Sequence, residues 1–314
     1  MEFALKDDST PVVGVSYGLG VDSTAMLVGM VKLGWRPDFI LFADVGRGEK
    51  KLTYDYLPIM QEFLKSHKFP PVIKVQYQPK YAPYDSLEDN MLINATLPGA
   101  TFGRGNCSIK FKIVPQEKWE RRFKGRRITK LVGYEAGEEY RQKNANKKAH
   151  ALKKANYSYE FPLMNWGWDR EECKARIREA GLPVPPKSSC IFCPNMKPEE
   201  LYDLTPDERG RIVRMEIMAE PYNDKIHGLW RQPRKNRHGS ITEHLIEHKI
   251  EFTHPKNFPK IHLNPNCRKA RLGYSFHPPH LDFRLSDKVG ANLEDLIHST
   301  LINDMAQMEL ELIA

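Results

Sequence analysis

The most constraining feature of the chain is the handover inside VVGVSYGLGVDSTAMLVGMVKLG. A short apolar run ends in a glycine-rich turn, and a helical pattern starts at once. The pattern then alternates. DFILFADVG reads as a second buried strand, KLTYDYLPIMQEFLKSH as a helix, PVIKVQY as a strand, VPQEKWERRFKG as a helix and ITKLVGYE as a strand. YEFPLMNW adds an extended segment and DREECKARIREAGL a helix. Strands that alternate with helices must run parallel, with the helices crossing the sheet faces. The expectation is an α/β fold built on a doubly wound parallel sheet. After about Pro183 the alternation stops, and LPVPPKSSCIFCPNMKP opens a mixed, histidine-rich region. The expected division is therefore a nucleotide-binding α/β domain over 1–182 and a smaller mixed C-terminal region over 183–314.

Glycines at the carboxyl end of a parallel strand let backbone N–H groups approach an anion. The following helix adds the positive end of its dipole. Ser16, Gly18, Gly20, Asp22, Ser23 and Thr24 thus form a candidate phosphate site. The Gly-Lys-Ser/Thr ending of a Walker loop is missing, and Ser23 stands where a dinucleotide fingerprint has its third glycine. Tight strand–helix packing is the alternative use of the same glycines.

Lys and Arg outnumber Asp and Glu by 48 to 40, a net charge of +8. The excess is clustered. Arg141–Lys154 carries six basic residues and no acid, Lys118–Arg127 is opposed only by Glu120, and Arg231–Gly239 is a third group. Solvated loops account for any one of these, whereas three together point to nucleic acid. The N-terminus is acidic and poor in apolar residues, and no apolar run reaches the ~18–20 residues of a membrane span. The expectation is a cytoplasmic protein with no membrane partner.

Five cysteines do not make a disulfide framework. Cys190 and Cys193 form a C-x-x-C, a spacing that lets two thiolates meet one metal or cluster. Cys173 falls on a helical face with Ile177 and reads as core. HLIEH, from His244 to His248, matches the H-x-x-E-H pattern of inverted zincins, but five residues have little specificity and no third ligand is identifiable. His277 and His280 read as turn residues.

SYGLGVDST resembles the pyrophosphate loop of the adenine-nucleotide alpha-hydrolase-like (HUP/PP-loop) superfamily. That superfamily includes ATP pyrophosphatases, tRNA thiolases and phosphoadenosine phosphosulfate (PAPS) reductases. FADVGRGEKKLTYDYL, CSIKFKIVP, VGYEAGEEYRQ, YEFPLMNW and VPPKSSCIFCPNM are similar to further family segments, in the family's order over about 12–196. The resemblance is greatest to the PAPS-reductase-like proteins common in bacteriophage genomes. It implies binding of ATP with Mg2+. Ser16, Gly18, Gly20, Asp22, Ser23, Thr24, Asp44, Gly133 and Glu138 would contact the nucleotide, and Asp22, Ser23, Arg141 and Lys112 would be catalytic, with Lys110 a further candidate cation.

The resemblance also implies that Cys107, Cys190 and Cys193 are ligands of a 4Fe–4S cluster, with zinc as the rival. Cys267 is the candidate fourth ligand. The implied reaction is adenylation of an acceptor followed by sulfur transfer, onto tRNA or DNA, with a sulfur-donor protein as a further partner. PAPS or related sulfonucleotide processing, and a nucleotide sensor without catalysis, are the alternatives. Two departures matter. Gly18 stands where the family's first loop serine falls, and the E-C-G-L-H segment of PAPS reductases has no counterpart.

Overall fold

In the computed structural model the described residues are 10–99, 106–142, 157–222, 227–235, 237–263, 284–291 and 296. The chain forms two compact units. The first comprises Met1–Asp44, Lys51–Tyr77 and Phe111–Ser189, and the second comprises Val45–Lys50, Gln78–Lys110 and Cys190–Ala314. Two inserts that follow strands of the first unit, Val45–Lys50 and Gln78–Lys110, group with the second.

The first unit is the expected α/β core. Its strands are β1 (Val12–Ser16), β2 (Phe39–Asp44), β3 (Val72–Gln76), β4 (Ile128–Val132) and β5 (Tyr157–Glu160). They form one five-stranded sheet in the order β3-β2-β1-β4-β5, and every neighbouring pair is parallel. β2 shows why both faces must be covered, because all six of its residues are buried. Its alternate side chains serve different cores. Ile40 and Phe42 pack with helix α1 (Val21–Lys32), helix α2 (Lys51–Ser66) and further helical residues. Phe39, Leu41 and Ala43 pack on the other face, where Trp119 and Phe123 lie. This is the period-two signature of a strand buried on both sides.

YEFPLMNW is not extended throughout. The strand is Tyr157–Glu160, and Pro162 opens a single helical turn, Pro162–Asn165, as proline at a first helical position favours. The following helix, Arg170–Glu179, starts where Asp169 accepts the Glu172 N–H at 2.8 Å. Its Cys173 and Ile177 enter the α1 core, and burial pushes the Cys173 thiol up to about 12.

The second unit is helical. Helix α3 (Leu87–Ile93) is capped by Ser86, whose hydroxyl accepts the Asp89 N–H at 2.9 Å. With α4 (Val114–Glu120) and α5 (Arg170–Glu179) in the first unit, the remaining helices are α6 (Pro206–Ala219), α7 (Ile241–Glu247) and α8 (Arg284–Val289). A Thr205–Glu208 capping box starts α6. The buried Glu216 carboxylate on α6 accepts the N–H groups of Leu229, Ile241 and Thr242 and the hydroxyls of Ser240 and Thr242, at 2.5–2.9 Å. One side chain thereby fixes the start of α7. Lys50 is 1 % exposed and pairs with Glu200 at 3.0 Å.

Candidate phosphate site of the first unit

β1 has its successor β2 on one side and β4 on the other, so the chain direction across the sheet reverses between β1 and β4. In open parallel sheets the crevice beyond the carboxyl ends at such a point is where ligands bind. Here that position is occupied by the Tyr17–Gly20 turn and the first turn of α1.

The turn is shaped by backbone rather than by hydroxyl reach. Leu19 adopts φ 58°, a left-handed conformation held by burying the side chain completely. Gly18 is exposed, and its N–H donates to Ser23 Oγ at 3.3 Å while that hydroxyl donates to the Gly20 carbonyl at 3.2 Å. Gly20 is the N-cap of α1 and offers no side chain, so the first N–H groups of the helix receive no side-chain cap. Gly133, just beyond β4, comes so near that an added Cβ would lie 2.8 Å from Ser23 Cα and 2.9 Å from Ser23 N. A glycine is required there if β4 and α1 are to meet at the crevice.

Charge gathers at the same place. Arg170, the first residue of α5, pairs with Asp22 Oδ2 at 3.0 Å, while the buried Asp22 Oδ1 has no hydrogen-bond partner. Burial pushes the Asp22 carboxyl up to about 6; Arg170 opposes this, and the nearby Glu138 and Glu135 reinforce it. Arg141 binds Glu138 at 2.6 and 2.8 Å and lies 4.3 Å from the Tyr134 ring centre. Burial works against the Arg141 charge, but Glu138 outweighs it and the net shift is upward.

The structure therefore brings Gly18, Gly20, Asp22, Ser23, Gly133, Glu138 and Arg141 together. The Thr24 hydroxyl instead lies 3.0 Å from that of Tyr17 in the core, with Thr24 fully buried. Ser16 ends β1, half-buried. Asp44 ends β2, accepts the Tyr54 hydroxyl at 2.7 Å and pairs with Lys74 at 3.3 Å. Lys112 is half-buried in the π-turn Ile109–Ile113. Lys110 belongs to the second unit and donates to the Tyr84 hydroxyl at 2.7 Å.

Two participants had no sequence signal. Arg170 is one. The other is Ser188, whose Oγ would lie 2.5 Å from a Cβ placed on Gly20. A distant proline-rich segment thus sets a hydroxyl against the uncapped helix start, and Tyr56 anchors that segment by donating to the Pro183 carbonyl at 2.8 Å.

Cys107, Cys190 and Cys193 belong to the second unit. Ile191 N–H donates to the Gly48 carbonyl at 2.8 Å and Phe192 N–H to Cys190 Sγ at 3.4 Å. Cys193 and Cys107 are half-buried, and Cys267, His277 and His280 lie outside the described residues. Among the described residues no group of three or more His, Cys, Asp or Glu side chains is assembled to hold a metal ion. In HLIEH the His244 and His248 rings stack at 3.9 Å and Glu247 is bound by His238. Among the described residues no helix is long and apolar enough to cross a membrane.

No family model matches the sequence, and no curated protein matches it. Among solved structures, the chain is similar in fold to the phosphoadenylyl-sulfate (PAPS) reductase from Candida auris, determined as a phosphate complex. The identity is 19 %, with a TM-score of 0.36 over 56 % of this chain and 76 % of that one. A likeness of that size carries nothing about activity.

Proposed function

We propose that the first unit is a nucleotide-handling module that holds the phosphates of an adenine nucleotide at the β1–β4 crevice. The observation that carries this is the approach of Gly133 to the Ser23 backbone beside an α1 start that has no side-chain cap. Backbone N–H groups and the helix dipole supply the attraction. The unpartnered Asp22 Oδ1 suits a Mg2+ ion arriving with the nucleotide, directly or through water.

Two chemistries fit such a site. In the first, an acceptor carbonyl oxygen attacks the α-phosphorus of ATP and pyrophosphate leaves with the electron pair of the broken P–O bond. A sulfur nucleophile then displaces AMP, with tRNA or DNA as the acceptor. In the second, PAPS or a related sulfonucleotide is processed without α–β cleavage, or the nucleotide is bound as a signal. The pairing of Arg170 with Asp22 and of Arg141 with Glu138 favours the second, because neither guanidinium meets departing pyrophosphate with its full charge.

Ligation of a 4Fe–4S cluster or zinc by Cys107, Cys190 and Cys193, with Cys267 the candidate fourth ligand, is proposed on the family resemblance and the C-x-x-C spacing of Cys190 and Cys193, with the Phe192 N–H bond to sulfur beside it. Iron and zinc analysis with an anaerobic absorption spectrum tests it.

Calorimetric titration with ATP, PAPS and pyrophosphate tests the site itself. Pyrophosphate release from ATP that requires tRNA or DNA supports the first chemistry, sulfite release from PAPS with an added dithiol as two-electron reductant the second, and binding without either a sensor. No binding of any of the three ends the assignment.

A further inference from the structure

The amino-terminal edge of the same sheet carries a different kind of surface. From the last turn of α4 to the start of β4 the chain exposes Lys118, Arg121, Arg122, Lys124 and Arg127. The only acid in that run, Glu120, is 1 % exposed and paired with Lys130 at 2.8 Å, so its charge is spent inside. The turn is braced against the strand starts. Val12 N–H donates to the Arg127 carbonyl at 2.8 Å and Arg126 donates to the Thr10 carbonyl at 2.8 Å.

The lead-in to β2 sits beside it. Asp38 holds the Val13 N–H at 2.8 Å, and the Phe39 ring meets those of Trp119 at 4.8 Å and Phe123 at 5.5 Å. Exposed Arg36, Lys65 and Lys68 continue the band around a cavity of about 1060 Å³. Trp119 is covered by the Arg122 guanidinium at 3.8 Å, which holds that cation upright.

We propose that this basic edge binds the sugar–phosphate backbone of a nucleic acid, at the end of the sheet opposite the phosphate crevice. The proposal rests on the reading of that crevice only for the relation between the two ends. β1 has five residues, so about 17 Å separates the edges and both can be filled at once. Cations grouped on the turn that leads into β4 match a polyanion whose charges recur every few ångströms, and their contribution is read as salt dependence.

The test uses the full chain and fluorescence anisotropy of labelled mixed-sequence duplex and single-stranded probes across a salt series. Arg121→Gln, Arg122→Gln and Arg127→Gln combined should weaken binding at least tenfold. The same variant should flatten the log–log salt slope by about 2–3. A control that removes equal charge elsewhere, Lys32→Gln with Lys51→Gln and Lys174→Gln, should stay within about twofold of the parent. Equal losses in both variants would reduce the effect to net charge and overturn the proposal. So would absence of binding, or tighter binding to anionic phospholipid vesicles than to either probe.

Which probe binds more tightly identifies the nucleic-acid form. If the triple variant melts early, Lys118→Gln with Lys124→Gln reads the same edge at smaller amplitude. Pyrophosphate affinity should not change with saturating duplex, and competition would overturn the placement. A chain that binds duplex through the edge but never binds pyrophosphate fails the crevice and keeps the edge.

Discussion

Two buried carboxylates, one in each unit, make opposite use of similar chemistry. Glu216 on α6 is 1 % exposed and receives five hydrogen bonds, every one from a neighbour whose position it fixes. Asp22 at the start of α1 is also largely buried. It has one ion pair, an oxygen with no partner and a proton affinity raised toward neutrality. A saturated carboxylate is part of the scaffold. An unsaturated one is a cost the fold bears at a place where something else is expected to bind.

The largest effect should come from emptying the saturated site. Glu216→Ala strands five donors, and chemical denaturation should show a loss of about 3–5 kcal/mol. A loss below about 1 kcal/mol would erase the contrast. Next comes the crevice wall. Gly133→Ala puts a methyl into backbone, so pyrophosphate affinity should fall at least tenfold while stability drops by only about 1–3 kcal/mol.

The third prediction uses the raised Asp22 pKa. The folded chain binds that proton more tightly than the unfolded chain does. The stability this provides is therefore complete below about pH 4 and is lost as pH rises through about 6. An anion at the α1 start should accordingly bind more tightly at pH 5 than at pH 7.5. Sulfate, whose own charge is constant over that range, is the probe, and Asp22→Asn should level the profile. A parent profile that is already flat would count Asp22 out. The smallest effect is expected from Ser188→Ala, a loss of about two- to threefold in pyrophosphate affinity with no change in melting temperature.

The strand–helix alternation of the first unit, its glycine turn and the core position of Cys173 were legible because each is local. Period, turn chemistry and burial are written within a dozen residues. Leu19 was not legible, because a leucine in the left-handed region depends on the pocket that receives it. Nor was the pairing of Asp22 with Arg170, or Ser188 against Gly20, since each joins residues about 150 or more positions apart through the packing of α5 and the proline-rich segment. The assignment of 45–50 and 78–110 to the second unit was hidden for the same reason. Asp44 was named through the family resemblance of FADVG, and its ties to Tyr54 and Lys74 are visible only in the fold.

Gly14, in the middle of β1, has no side chain because the Phe39 ring fills the space; an added Cβ would lie 2.1 Å from it. That ring also abuts Trp119, on which Arg122 rests. A bare α-carbon deep in the sheet therefore governs how a guanidinium is presented to solvent. Selection for what the outer rim grips would be felt as intolerance of a methyl at the heart of the strand.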